Sequence, residues 1–419
     1  MRFFSKKILL FIEPCLSSHL LVLKAKEKRY DTFVISAHSN QRTLPAEIIN
    51  ASSSFFQVDT NNDEAVLDLV KKISQKFHID GVIPGSESCA VLAAKVAKYL
   101  KTPGLTQEAA LRVCRKDLIR DELKAHNVPI PLYGRVKTKE ELEKTLKIIG
   151  FPCILKAIDG AGSVGGKKVQ TLEEAFHFFE AVTAPEEGSS SWDDRFLQRC
   201  VLVEEYIQGK EYSVEVFSRN NIVSLVSFTE KVLSLEFDSI KERHIIRSEI
   251  EPTLLGRIEP YLNKVILALK LNHGLFHAKV RLSTRGPLLM KIEMGPPEAH
   301  IPKLIGYATG IDYYDNILRL LSGQPFSLQR TRYLNAGITF LYHSNVNKFC
   351  THGYFKTLRD NSCVMETKAY YRQEDGISDF SVGKKVGHVI LLHKDYEILK
   401  QKMAEVEANV YRPLNGVGE

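Results

Sequence analysis

The run Gly160-Ala161-Gly162-Ser163-Val164-Gly165-Gly166 lies between Pro152-Cys153-Ile154-Leu155-Lys156 and Lys168-Val169, and this order constrains the chain more than any other feature of its sequence. Glycines let a backbone turn with its N–H groups pointing inward and no Cβ in the way, so the pattern reads as strand, glycine loop, strand. Such a loop either folds over the phosphates of a nucleotide or closes a plain hairpin. Two lysines bear on the choice: Lys156 on the preceding strand, and Lys116 upstream in Arg115-Lys116-Asp117-Leu118-Ile119-Arg120. Two ammonium groups and a glycine loop suit a polyphosphate, although Lys116 taken alone reads as a solvated helix charge.

Some 45 residues after Lys156 comes Val201-Leu202-Val203-Glu204-Glu205-Tyr206-Ile207-Gln208-Gly209-Lys210-Glu211-Tyr212-Ser213-Val214-Glu215-Val216. A strand ending in two acids, a turn at Gly209 and a second strand make an apolar slot edged by carboxylates. A purine amine and ribose hydroxyls are donors that such carboxylates accept.

The first hundred residues alternate strand and helix signals. Residues 8–12 and 32–35 read as strands, 16–27 as a helix, 55–58 as a weaker strand, 63–73 as a helix capped by Asn62 or Asp63, and 81–85 as a buried strand before a helix over 90–100. That alternation predicts an open parallel sheet, with a boundary at Thr102-Pro103-Gly104. The first β–α turn, Glu13-Pro14-Cys15-Leu16-Ser17-Ser18, lacks the G-x-G-x-x-G of a dinucleotide site. The second, Pro84-Gly85-Ser86-Glu87-Ser88, is either an ordinary capped helix start or a seat for an anion. Farther on, Thr138 with Glu141 and Thr171 with Glu174 have capping-box spacing.

Charge narrows the partners little. Fifty-seven basic and 50 acidic residues give a net charge of +7, but no basic run marks a nucleic-acid tract, so a small anion fits as well as a polymer. The 7 cysteines are scattered with no C-x-x-C pair, which predicts neither disulfides nor zinc and a reducing compartment, the cytoplasm. Ile8-Leu9-Leu10-Phe11-Ile12 is halted by Glu13-Pro14, which suits a buried strand better than a leader, and no run approaches a membrane span.

In order and interval these segments resemble the ATP-grasp superfamily, most closely its carboxylate–amine ligases of the L-amino-acid ligase or bacilysin-synthetase type, related to the ATP domain of carbamoyl phosphate synthetase. The resemblance covers nearly the whole chain. It implies an α/β ATP-grasp fold: a Rossmann-like, open parallel-sheet domain over 1–104, an ATP-grasp domain over 105–330 with its hinge near 203–211, and an α+β C-terminal part over 331–419. It implies Lys116 and Lys156 at the phosphates beside Gly160, Gly162 and Ser163, with Glu204 and the backbone from Glu205 to Ile207 at adenine, and Glu211 at the ribose. The implied activity joins a carboxylate, an amino acid, to an amine through an acyl phosphate, with ATP and Mg²⁺ as cofactors. The implied partners are those small molecules and a second copy of the chain, with neither nucleic acid nor membrane.

Downstream the sequence departs from the pattern. The strands Gly274-Leu275-Phe276-His277-Ala278-Lys279-Val280-Arg281 and Leu289-Met290-Lys291-Ile292-Glu293-Met294-Gly295-Pro296 resemble those carrying the magnesium carboxylates. The family usually has Glu where Lys279 stands, Asn where Gly295 stands, Arg where Pro297 stands, and a Gly-Gly pair before the histidine that is His300 here. Of the usual trio only Glu293 remains as a metal ligand. Either one metal sits on Glu293, phosphates and waters, helped by Glu298 or Glu215, or the Lys279 ammonium neutralises phosphate charge. With the arginine gone, Arg281 and His300 are the catalytic candidates for positive charge beside the γ-phosphate. The alternative to a ligase is a nucleotide-binding, non-catalytic protein with a decayed metal site. The biotin carboxylase branch is disfavoured, because no Met-Lys-Met signature is present. The tail reads as strands at 337–342 and 387–392 and a helix over 396–410 whose Leu399, Met403, Val406 and Val410 share one face.

Overall fold

The computed structural model describes residues 6–411, apart from 16, 39–42, 159–165, 185–199, 237–238, 299, 343–357, 359–361 and 371–384. Its N-terminal part runs β1 (Ile8–Ile12), α1 (Ser17–Glu27), β2 (Asp31–Ser36), α2 (Ala46–Ala51), β3 (Ser54–Gln57), α3 (Asp63–Ser74), β4 (Gly81–Pro84) and α4 (Ala90–Leu100). The strands form a parallel sheet in the order β3-β2-β1-β4. The apolar run of β1 is continuous because both of its faces are covered: Leu10 and Ile12 pack with α3 and α4, while Leu9 and Phe11 pack with α1 and with residues beyond 300. Each such buried side chain contributes about 1.5–3 kcal/mol. The core under Leu9 and Phe11 also holds Phe217, Leu304, Ile317 and Ile338, so this domain shares its interior with the rest of the chain. Helix α2 had no signal in the sequence reading. The strand order reverses between β1 and β4, and the crevice at their C-terminal ends holds the turn from Pro84 to Ser88.

Helices α5 (Gln107–Cys114) and α6 (Lys116–Ala125) are separated by Arg115, whose extended backbone restarts the helix at Lys116. Then come β5 (Tyr133–Val136), α7 (Lys139–Ile149), β6 (Cys153–Ala157), β7 (Lys167–Val169), α8 (Leu172–Thr183) and β8 (Val201–Glu205), whose strands form an antiparallel sheet ordered β5-β8-β6-β7. Both capping boxes form, shifted by one residue. The Glu141 N–H donates to Thr138 Oγ1 at 3.2 Å and the Glu174 N–H to Thr171 Oγ1 at 3.2 Å. Each glutamate reaches back past the cap residue to the N–H before it, Lys137 and Gln170, at 2.7 Å.

The remaining strands build one sheet: β9 (Lys210–Arg219), β10 (Ile222–Glu236), β11 (Ser239–Ile246), β12 (His273–Ser283), β13 (Gly286–Met294), β14 (Asn335–Tyr342), β15 (Val364–Ala369) and β16 (Lys385–His393), ordered β13-β12-β9-β10-β11-β14-β16-β15. Helix α9 (Pro252–Ala268) follows β11, α10 (Ile301–Thr309) and α11 (Tyr313–Leu321) follow β13, and α12 (Tyr396–Tyr411) ends the described chain. The C-terminal strands continue this sheet through β11 and β14 rather than standing apart. Leu399, Met403 and Val406 of α12 are buried against it, the Val410 side chain lying outside the described residues. Gly337 of β14 sits directly under Met403, where a Cβ would come 2.4 Å from Sδ.

Candidate functional site

The two sheets after residue 130 are joined by the β8–β9 connection and meet where Arg120 and Lys156 reach the Met290 carbonyl. At Gly209 the chain crosses from one sheet to the other with φ +136, and a Cβ there would lie 2.2 Å from the Leu282 carbonyl oxygen, so glycine is required twice over. Arg281 fastens this crossing. Its Nη1 donates to the Ile207 carbonyl at 2.6 Å, and its Nε and Nη2 donate to Glu211 Oε2 at 3.1 and 2.9 Å. Glu205 takes Arg285 Nη2 at 2.7 Å on Oε2 and 2.8 Å on Oε1. Lys168 lies 4.2 Å over the Tyr206 ring, which places a cation–π contact beside the crossing.

Deeper in, Glu204 is buried and draws Arg120 of α6 and Lys156 of β6 together. It accepts from Arg120 Nε at 2.6 Å on one oxygen and from Lys156 Nζ at 2.5 Å on the other. Arg120 and Lys156 then donate onward to the Met290 carbonyl of β13, at 3.2 and 3.3 Å. Burial raises the cost of a charge at Glu204, but the adjacent Arg120 and Lys156 outweigh it and hold the carboxyl down at about 2. Burial, with Arg120 and Lys291 close by, lowers the Lys156 ammonium against the pull of Glu204. Lys116 reaches the same region from the start of α6, with Nζ 3.4 Å from the Ile158 carbonyl. Its position is set by its neighbours: Arg115 grips Asp117 through Nε at 2.9 Å and Nη2 at 2.8 Å, and Arg135 adds a contact at 3.1 Å.

The larger sheet contributes one polar face of β9, β12 and β13. Strand alternation puts Glu211, Ser213 and Glu215 beside Arg281, Lys279 and His277 in register, and pairs Lys279 with Lys291 and His277 with Glu293. Tyr212, Val214, Phe276 and Ala278 turn to the apolar side and are buried. Glu215 Oε1 lies 2.8 Å from His277 Nδ1, and Lys291 Nζ lies 2.5 Å from Glu293 Oε1. Burial works against the Glu293 charge, but Lys291, then Lys279 and His277, hold its carboxyl below the usual range. Among the described residues Lys279 forms no hydrogen bond or ion pair.

Glu87, from the β4–α4 turn, lies near Glu293, Lys291 and Lys116. Burial and the nearby Glu293 push its carboxyl up to about 7, against the pull of Lys291 and Lys116. The N-terminal domain thus contributes a carboxyl group to this region.

The sequence-derived site divides as follows. Lys116, Lys156, Glu204 and Glu293 lie in one region, while Glu205, Ile207 and Glu211 lie at the β8–β9 connection. Gly160, Gly162 and Ser163 lie outside the described residues, although Gly166, at the end of their loop, sits 3.0 Å, as a built Cβ, from Lys156 Cγ. The two residues read as sources of positive charge at the γ-phosphate are placed otherwise. Arg281 is committed to Glu211 and Ile207, four residues along β12 from His277, or ~13 Å at strand spacing. His300, in left-handed conformation at the start of α10, packs 4.3 Å (ring centroids) from His388. Burial, then His388 and Lys303, lower it to about 4, so its ring is neutral at neutral pH. Sequence reasoning assigned nothing to Arg120, Glu87 or Lys291. Arg120 stands one helical turn after Lys116, and Lys291 two residues before Glu293 on a strand, so periodicity alone puts each beside its neighbour.

These residues do not fit Mg²⁺. The ion takes hard oxygen ligands in near-octahedral array, whereas Glu293 is already bound by an ammonium, Lys279 offers donors only, Gly295 offers no side chain, Glu298 is exposed and Glu215 adds a single oxygen unpartnered among the described residues, its buried Oε2. Among the described residues no three His, Cys, Asp or Glu side chains are grouped to hold a metal ion, and no helix is long and apolar enough to cross a membrane.

Residues 149–300 match the family model described as an ATP-grasp domain. The chain is 24% identical over 277 residues, 65% of its length, to the uncharacterized protein y4rH of Sinorhizobium fredii, and the match spans 55% of that relative. The chain superposes on the L-amino acid ligase of Bacillus licheniformis with a TM-score of 0.74 at 19% identity, covering 96% of this chain and 97% of that one. It also superposes on an N5-carboxyaminoimidazole synthetase from Staphylococcus aureus complexed with ADP, with a TM-score of 0.69 at 16% identity, covering 96% and 98%. The chain therefore has the ATP-grasp fold and carries an ATP-grasp domain.

Proposed function

We propose that this chain is an ATP-dependent ligase joining a small carboxylate, an amino acid, to an amine. The observation that carries the reading is the joining of the two sheets by Arg120 and Lys156 at the Met290 carbonyl, which gathers Lys116, Lys156, Lys279 and Lys291 around one cleft. Adenine would lie against the backbone from Glu205 to Ile207. All described contacts of Arg281 with Glu211 fall on Oε2, which leaves Oε1 to accept from a ribose hydroxyl. Glu204 acts by holding Lys156 and Arg120, since both of its oxygens are occupied. A substrate carboxylate oxygen attacks the γ-phosphorus and ADP leaves; the amine nitrogen then attacks the acyl carbon and phosphate leaves. With His300 neutral and Arg281 engaged, Lys279 is the group poised to meet the charge that develops at the transferring phosphoryl group.

A second reading, nucleotide binding without turnover, is favoured by the Lys291–Glu293 pair, which occupies the carboxylate that the family uses for metal. Release of ADP and phosphate in the presence of ATP and pooled amino acids and small carboxylates separates the two, with Lys156→Ala as the blank. Release that depends on a substrate and disappears in the variant supports the ligase. Binding without release under every pool supports the second reading. The same assay, followed by mass spectrometry of the product, identifies the substrates; sedimentation tests the homodimer that the resemblance implies.

A further inference from the structure

We propose that Lys279 and Lys291 stand where a divalent cation would stand, so that the cleft holds the nucleotide triphosphate in metal-free form. The inference rests on the ATP reading above and concerns what counters the phosphate charge.

Three features of the β9–β12–β13 face carry it. Lys279 is partly exposed on the cleft side of β12 and has no partner among the described residues, so its ammonium is available to an incoming anion. Lys291 faces it in direct register on β13 and is held by Glu293 at 2.5 Å. Glu293 here is a positioning carboxylate: it fixes the direction of an ammonium, the reverse of ligating a cation. Behind them, His277 Nδ1 lies 2.8 Å from Glu215 Oε1; Glu215 Oε2 is buried without a hydrogen-bond partner among the described residues, one open oxygen where a divalent ion takes about six.

The charge count agrees. Lys116, Arg120, Lys156, Lys279 and Lys291 against Glu87, Glu204, Glu215 and Glu293 give 5 − 4 = +1 with Glu87 ionised, and 5 − 3 = +2 with it protonated, before any metal enters. A divalent ion would add to a field that is already positive, whereas a bare triphosphate tail would neutralise it. Two ammonium groups carry the formal charge of one divalent ion without requiring six oxygens at fixed distances.

The test is calorimetric titration of the full chain with ATP, once in EDTA and once in magnesium chloride. The expected result is an affinity in EDTA within about threefold of that in magnesium. In Lys279→Glu, the expected result is ATP binding about tenfold or more weaker in EDTA, with magnesium now restoring it. Restoration by the ion reports a folded variant, so a merely unfolded protein does not imitate the outcome. Lys291→Met, which frees Glu293, is expected to gain magnesium dependence in the same direction. Wild-type binding that strengthens about tenfold or more with magnesium overturns this inference and leaves the ATP reading intact. Absence of wild-type binding under both conditions overturns the ATP reading and this inference with it.

Discussion

Replacing Glu204 by Gln tests how the two walls of the cleft are held. The carboxyl drops from 4.5 to about 2 on folding, which at 1.36 kcal/mol per unit amounts to about 3 kcal/mol of stability. Removing the charge leaves Arg120, 4% exposed, and Lys156 without their carboxylate, and breaking a buried pair in this way costs about 3–5 kcal/mol. Because the folded value is depressed, the contribution is fully present above pH 4.5 and is lost as pH falls through about 2. Urea unfolding at pH 7 should show Glu204→Gln less stable by about 3 kcal/mol, and at pH 3 the deficit should shrink by more than half. Glu205→Gln is the control: its partner Arg285 is half exposed, so the loss should stay under about 1 kcal/mol. A Glu204→Gln deficit below about 1 kcal/mol at pH 7, or one equal at both pH values, would refute the buried-triad account.

Glu87 should behave in the opposite sense. Its carboxyl is raised to about 7 in the folded chain, so its stabilisation is complete below pH 4.5 and is lost as pH rises through about 7. Glu87→Gln should therefore match the wild type in thermal melts at pH 5 and exceed it at pH 8.5 by ~1–3 kcal/mol; an equal offset at both pH values contradicts the placement beside Glu293. Gly209→Ala puts a methyl against the Leu282 carbonyl at positive φ, and chemical denaturation should show a loss of about 1–3 kcal/mol; a neutral variant would mean the crossing has another conformation. The His300 imidazole should remain neutral in NMR titration until the pH nears 4, whereas titration near 6.5 would place it away from His388 and Lys303.

The elements whose signals are local were legible in the sequence. β1 announced itself by five consecutive apolar residues, α3 by Val66, Val70 and Ile73 on one face, and α7 and α8 by their capping threonines. The strand, turn at Gly209 and second strand between Val201 and Val216 were legible too, and they form β8 and β9. What escaped was set by long-range packing. Arg120 meets Glu204 across 84 positions and Met290 across 170, and Glu87 comes near Glu293 only through the packing of distant segments. The sequence reading placed Arg281 beside the phosphates. Cross-strand register with Glu211 places it at the β8–β9 connection, and register is not readable from one strand alone. His300 was read as a charged group, but its burial against His388, more than 80 residues downstream, makes it neutral.

The most direct test of the account is ATP affinity in wild type and Lys156→Ala by titration calorimetry, with near-ultraviolet circular dichroism confirming the fold of each. The account predicts that wild type binds ATP and that the variant binds it about 10–100-fold more weakly, the loss expected for a charged contact to phosphate. Equal affinity in the two proteins would contradict the phosphate role of Lys156 and with it the cleft as the nucleotide site.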